Sequence, residues 1–312
     1  MQKTAVFFHF YELNKNYKDN LTYFISVAWR KELDFYIIDA DNITPPNLPS
    51  LPNIYLIRTR NINLDYGGYS QAIKILGDKI NQYSNFLFIN SSVRGPFIDD
   101  SMSDWTKKFT DKLNDEVSLV GSSINILNTR CRDSEEYQKI SKGSGPFTHV
   151  QTTAYAMTYN MLTILIDSGF YENQTELKKS NVIFKYEIDL SQRVLSLGYN
   201  IDAVLPKYSG HDYKRLKTDI NPTSKDGDAL RRGAYFGKTP KASELIFIKT
   251  NRRLLSSYVL AWITYRGLIG PKNKIIKEWE GYKDLLKRVR FKLIKNSSLI
   301  IISALTVYFI IL

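Results

Sequence analysis

The chain has 312 residues, of which 43% are hydrophobic, 24% charged and 13% aromatic, a mix that excludes an intrinsically disordered or collagen-like protein. With 43 Lys and Arg against 31 Asp and Glu, the formal charge is +12, which favours acidic partners such as nucleic acid, anionic lipid or phosphorylated substrates. The one cysteine, Cys131, excludes an intramolecular disulfide framework and a cysteine-based zinc site.

The first half alternates strand and helix signals. Ala5–Phe10 is a short β-run, and Asn20–Trp29 has helical spacing of apolar residues. Asp34–Ile38 and Ile54–Ile57 read as strands two and three, separated by a proline-rich loop at 45–52. Tyr69–Ile80 reads as a helix, and Phe86–Ile89 is a continuous apolar run expected of a buried parallel strand. Trp105–Leu113 reads as helical and Val117–Val120 as a fifth strand. This βαβ rhythm predicts an α/β fold with a mostly parallel sheet flanked by helices.

The second half is less regular. Asn128–Pro146 reads as a polar loop, Val150–Met157 as β-prone and Met161–Ser168 as helical. Glu187–Leu197 reads as a helix stopped by Gly198, and Ile201–Leu205 as a late strand. Leu254–Tyr265 is an apolar helix too short to span a bilayer but suited to its surface.

Much of the positive charge falls late, from Arg252 and Arg253 to Lys292 and Lys295, with no nucleic-acid-binding signature around it, so nucleic acid is not an expected partner. No charge follows Lys295, and the run 296–312 behind a basic flank resembles a membrane anchor with its positive side inside. The expected organisation is therefore a domain over 1–250, a basic helical membrane-proximal region over 251–295 and a hydrophobic tail over 296–312. That layout leaves the domain over 1–250 on the cytoplasmic face of the membrane.

In open α/β sheets, ligands bind at the carboxyl ends of the strands, and three such ends carry polar clusters. After strand three comes Asp65-Tyr66-Gly67-Gly68-Tyr69, where glycines permit close backbone approach and a helix N-terminus favours an anion. The same residues equally suit a capped turn. After strand four comes Asn90-Ser91-Ser92-Val93-Arg94, where Arg94 suits the neutralisation of a diphosphate and the alternative is a strand-ending turn. This triplet is not D-x-D, and neutral oxygens hold Mg²⁺ or Mn²⁺ poorly by themselves. The third cluster pairs His149 and Gln151, suited to sugar hydroxyls, with Glu187 or Asp189 as a general base. Its alternatives are a structural histidine and a carboxylate complementing a helix dipole. Asp39-x-Asp41 reads as a loop cap rather than a metal site.

Taken in order, His9–Glu12, Asn63–Tyr69, Phe88–Pro96, His149–Thr152, Glu187–Ser191 and Glu244–Arg252 resemble the GT-A-type glycosyltransferases related to rhamnan synthesis F proteins. The resemblance covers roughly residues 5 to 252. It implies a GT-A-like (Rossmann-like) fold and transfer from a nucleotide-diphosphate sugar to a glycan or lipid-linked acceptor in polysaccharide biosynthesis. It also implies that Asp65, Gly67 and Gly68 hold the nucleotide. Asn90 and Ser92 would stand at the metal or diphosphate site, and His149 and Gln151 would line the sugar or acceptor pocket. Asn63 departs from a glycine, and Ser91 from an acidic residue, which leaves a divalent metal (Mg or Mn) open. The missing D-x-D supports an alternative, a non-catalytic glycan-binding or assembly protein on a degenerate transferase scaffold.

Overall fold

The computed structural model describes residues 3–98, 104–128, 130–141, 143–172, 175–270 and 274–311, with side chains described as far as residue 295. Its first part runs β1 (Thr4–Phe10), α1 (Lys15–Ala28), β2 (Leu33–Ala40), β3 (Ile54–Thr59), α2 (Leu64–Leu76), β4 (Asn85–Asn90) and β5 (Val93–Arg94). Next come α3 (Lys107–Thr110), β6 (Val117–Gly121), β7 (Ile124–Leu127), α4 (Arg132–Ser141), β8 (Phe147–Val150), β9 (Ala154–Thr158) and α5 (Tyr159–Asp167). The last part holds α6 (Lys179–Val182), a π-helical stretch at Ile183–Ile188, α7 (Asp189–Ser196) and β10 (Asn200–Ala203). It ends with α8 (Ala242–Leu245), β11 (Ile248–Lys249), α9 (Ser257–Ile269), α10 (Lys274–Glu278) and α11 (Glu280–Ile311).

Seven strands form one sheet in the order β10-β6-β9-β4-β1-β2-β3. The neighbours are parallel except at β9, which runs antiparallel to both β4 and β6. The fold is thus a mixed α/β structure with a mostly parallel sheet flanked by helices. All seven residues of β1 are buried, as helices covering both faces require. Phe7 stacks on Phe88 of β4 and on Tyr36 of β2, with centroids 5.2 and 5.3 Å apart. Each such ring, fully buried, contributes about 1.5–3 kcal/mol.

Register then aligns the strand ends. His9 pairs with Asn90 and with Ile38, and Asp39 pairs with Arg58, so the carboxyl ends of four strands form one rim. The two-residue β5 and β11 pair antiparallel beside this rim, Lys249 opposite Val93, and the Thr250 amide extends the ladder to the Ser92 carbonyl at 3.0 Å. Strand β7 pairs with β8 in a second small ribbon that sets Asn125 opposite His149.

Several sequence expectations need correction. The segment expected as a loop over Asn128–Pro146 contains α4, which buries Ser134 and Tyr137 on one edge and is otherwise too polar to betray a helix. The helix expected over Trp105–Leu113 shrinks to the single turn of α3, and the β-prone run Val150–Met157 is split between β8 and β9. Helix α2 begins at Leu64 rather than Tyr69, so Gly67 and Gly68 lie within it.

The late basic region packs on the α/β body. Leu254, Ala261, Leu268, Trp279, Leu285 and Val289 belong to the same buried cluster as β1 and α1. Arg288 pairs with Asp19 of α1 at 2.7 Å, and the Tyr282 hydroxyl donates to the Leu268 carbonyl at 2.9 Å. Among the described residues, no helix is long and apolar enough to cross a membrane. The anchor expected over 296–312 falls on side chains outside the described residues.

Candidate active site

Two of the strand-end clusters meet. The Asn90 side-chain amide donates to Asp65 Oδ2 at 3.0 Å, joining the tip of β4 to the first turn of α2. Asn90 Oδ1 in turn accepts from the Ser92 amide at 3.1 Å and the Ser92 hydroxyl at 2.6 Å. The Asn90 oxygen is therefore taken by Ser92, while its amide orients Asp65.

The entry to α2 explains why Asn63 stands where a glycine is common. Asn63 and Leu64 both take left-handed backbone (φ 58°), which asparagine tolerates better than most residues. The Asn63 side chain also reaches the 175–177 segment, donating to the Thr175 carbonyl at 2.9 Å and accepting from the Leu177 amide at 2.8 Å. Gly67 and Gly68 are required by close approach. A Cβ on Gly67 would lie 1.6 Å from the Ile62 carbonyl oxygen, and one on Gly68 would lie 2.3 Å from His9 Cδ2. His9, at the end of β1, is buried with no hydrogen-bond partner for Nε2 among the described residues, and burial pushes its pKa down to about 3, so it is a neutral ring beneath the site.

Asp65 sits against this packed floor. Burial pushes its carboxyl up to about 6, and the Asn90 hydrogen bond opposes that rise while Glu187 adds to it. Glu187 lies in the π-helical stretch, next to Tyr186, whose ring stacks on Tyr66 with centroids 5.0 Å apart. The Glu187 side chain makes no hydrogen bond or ion pair among the described residues, and the residue is half-buried. Lys249 completes the group. Burial lowers its pKa, and the fields of Glu187, Asp228 and Asp65 oppose that fall. A half-buried ammonium and an unengaged carboxylate therefore face one another's field beside Asp65.

Beside them runs a polar network. His149 and Gln151 are both buried. His149 Nδ1 contacts the Phe147 carbonyl at 3.0 Å, and its Nε2 faces the Asn125 amide at 3.4 Å. Burial is the main cause that lowers the His149 pKa. The Gln151 amide donates to Asn125 Oδ1 and to Asp228 Oδ1, the latter at 2.8 Å. Asp228 also pairs with Arg252 and, at 3.8 Å, with Arg231. His149 and Gln151 thus position Asn125, Asp228 and Arg252 from below rather than offering open surface to a sugar.

Two residues singled out from sequence lie elsewhere. Arg94 is only 6% exposed and turns toward α1 and α9, its Nε on Asn20 Oδ1 at 2.9 Å and its Nη1 on Thr264 Oγ1 at 3.3 Å. The turn at Ser91 and Ser92, between β4 and β5, breaks the alternation that would otherwise set Arg94 on the side of Asn90. Asp189 accepts from the Tyr137 hydroxyl at 2.8 Å and from Arg193 Nε at 2.6 Å, so its oxygens are committed within the helix layer. Of the two carboxylates weighed as a base, Glu187 is the unengaged one. Asp39 and Asp41 cap the loop as expected, Asp39 held by Asn42 and by Arg58 at 3.4 Å, and Asp41 taking the Asn61 amide at 2.7 Å.

Sequence reasoning missed Lys249, Arg252, Asp228 and Asn125. The signal for the first two was the ordered segment ending Lys249-Thr-Asn-Arg252, which a two-residue strand delivers to the β4 tip. As a metal site the donor set fits badly. Among the described residues, no three His, Cys, Asp or Glu side chains gather, and Asn90 Oδ1 already serves Ser92.

No protein-family model matches the chain, and no curated protein matches it. The solved structures it is similar to include a glycosyltransferase involved in glycosylation of the major capsid of PBCV-1 (14% identity, 60% of this chain and 76% of that one, TM-score 0.32). They also include the apo-form glycosyltransferase GlyE of Streptococcus pneumoniae TIGR4 (12% identity, 64% of this chain, TM-score 0.31), of which the match spans only 44%. A third is the galactosyltransferase LgtC in complex with donor and acceptor sugar analogs (12% identity, 58% and 69% coverage, TM-score 0.32).

Proposed function

We propose that the chain is a glycosyltransferase moving a sugar from a nucleotide-diphosphate donor to a glycan or lipid-linked acceptor, in the group that its ordered motifs resemble. One observation carries this: the Asn90–Asp65 hydrogen bond joins the tip of β4 to the first turn of α2, beside Glu187 and Lys249. Asp65 accepts from the ribose or base of the donor. Lys249 and Arg252 offset the charge that develops on the departing diphosphate, the work a metal does where two carboxylates grip one. Glu187 deprotonates the acceptor hydroxyl in an inverting transfer. His149 and Gln151 are positioning residues for Asp228 and Arg252. We place the enzyme at the cytoplasmic face of a membrane. The exposed Tyr258, Trp262 and Phe291, on helices that also carry Arg266, Lys287 and Lys292, support that placement.

The test is calorimetry of the full chain with a broad panel of sugar nucleotides, repeated with Asp65→Ala. Binding of at least one donor, lost in the variant, is the expected result. Silence across the panel sinks the proposal. It would favour a second reading, a non-catalytic glycan-binding scaffold, which the engaged Asn90 oxygen and the missing carboxylate pair support.

A further inference from the structure

On the far side of the β5–β11 ribbon lies a cavity of about 740 Å³ between α1, α9 and α11. Five cations line it, Arg94, Arg232, Arg253, Arg288 and Lys292, against the single carboxylate of Asp19. Asp19 is already engaged by Arg288. Arg232, Arg253 and Lys292 make no ion pair or hydrogen bond among the described residues. Ser256 and Ser257 bring the N-terminal end of α9 to the same wall, where the Ser256 hydroxyl takes one amide, that of Val259, at 3.2 Å. The rest of the wall includes Leu255, Val259 and Val289.

The cavity is separate from the Asp65 rim. Asn20, fully buried, stands between them: its amide donates to the Ser91 carbonyl at 2.9 Å and to Thr250 Oγ1 at 3.0 Å, while its oxygen accepts from Arg94. Thr250, one residue beyond β11, lines the cavity, while Lys249 lies in the field of Asp65 and Glu187.

We propose that this cavity binds the phosphate or diphosphate head of an amphiphile. Unpaired cations around a half-enclosed space hold an anion, whereas a sugar alone would leave them uncompensated. The apolar wall receives the start of a hydrocarbon chain, which continues over the exposed Val259 and Trp262. The binding stands on its own, because neither Asp65 nor Glu187 lines this cavity.

The experiment is calorimetry of the full chain with inorganic pyrophosphate and with farnesyl diphosphate. Farnesyl diphosphate is expected to bind roughly tenfold or more tightly than pyrophosphate, because its chain buries apolar surface. The double variant Arg253→Glu, Lys292→Glu is expected to weaken both ligands by roughly tenfold or more while leaving thermal unfolding unchanged. Asp65→Asn should bind farnesyl diphosphate as the wild type does. Equal binding by wild type and double variant overturns the proposal, as does displacement by excess sugar nucleotide or the absence of any gain from the farnesyl chain. Farnesyl diphosphate binding that the double variant loses, in a protein that binds no sugar nucleotide, would uphold the cavity and sink the transferase reading alone.

Discussion

Tyr66 and Tyr186 stack with their ring planes 19° apart, and each is the chain neighbour of an acid of the candidate site, Asp65 and Glu187. Tyr186 also meets Phe170 edge-on, as does Tyr66, so three rings clamp α2 to the π-helical stretch. Two carboxylates from segments about 120 residues apart are thereby fixed on rigid supports rather than on loops.

Asp65 should govern a pH dependence. Its folded pKa, about 6, lies above the ordinary carboxylate value of 3.8. Below pH 6 the carboxyl is protonated and loses acceptor capacity, so donor affinity should fall as pH drops through 6. For stability the sign is opposite. The folded state holds the proton more tightly, so ionisation costs stability as pH rises through the folded pKa, while below the unfolded value both states are protonated and nothing is lost. Asp65→Asn should therefore be stabilised by up to about 3 kcal/mol at pH 8 and not at all below pH 4, and should lose the pH 6 transition in donor binding. Thermal melts and calorimetry across pH check both signs.

Glu187→Gln should lower kcat by roughly 10²–10⁴-fold with donor affinity changed only a few-fold, because a general base acts on the acceptor rather than the donor. The fold should tolerate it, since the carboxylate makes no hydrogen bond in the described structure. A matched loss from Asp189→Asn without loss of melting temperature would reverse the assignment of the base.

Lys249→Met keeps the stem and removes the charge. Loss of one charge-assisted contact of about 1.5–3 kcal/mol should weaken binding of a nucleoside diphosphate by roughly tenfold to a hundredfold. Burial already disfavours the ammonium in the free protein, so the apo variant should melt no lower than wild type. Isothermal titration and a melt suffice.

The α2 entry should be sensitive to single methyl groups. Gly67→Ala forces a Cβ into the Ile62 carbonyl and should cost about 3 kcal/mol or more. Asn63→Ala loses two hydrogen bonds and strains a left-handed residue, whereas Asn63→Gly loses the bonds alone. Denaturant titration should rank Asn63→Gly above Asn63→Ala by about 1 kcal/mol.

The central strands were legible because each is a continuous apolar run between turn residues, as Phe86–Ile89 illustrates, and the rim followed from the parallel sheet. Asp65 and Asn90 were legible for the same reason, since both stand where such runs end. Lys249 was not, because a strand of two residues has no periodicity to read and its place is set by pairing with β5. The start of α2 was misplaced because two left-handed residues open it, a geometry that residue types signal weakly. Arg94 was misdirected because the turn at 91–92 decides which side of the ribbon each later residue faces.

The ion pair between Arg288 and Asp19 bridges residues 269 positions apart, and Leu285 and Val289 lie in the core beside it. Shortening the gene to end near residue 250 would strip α1 of this cover and give an aggregating fragment, whereas stopping just after Lys295 keeps it intact. The practical boundary for purifying a folded protein is thus chosen by the outer surface of α1, and not by where the positive charge begins.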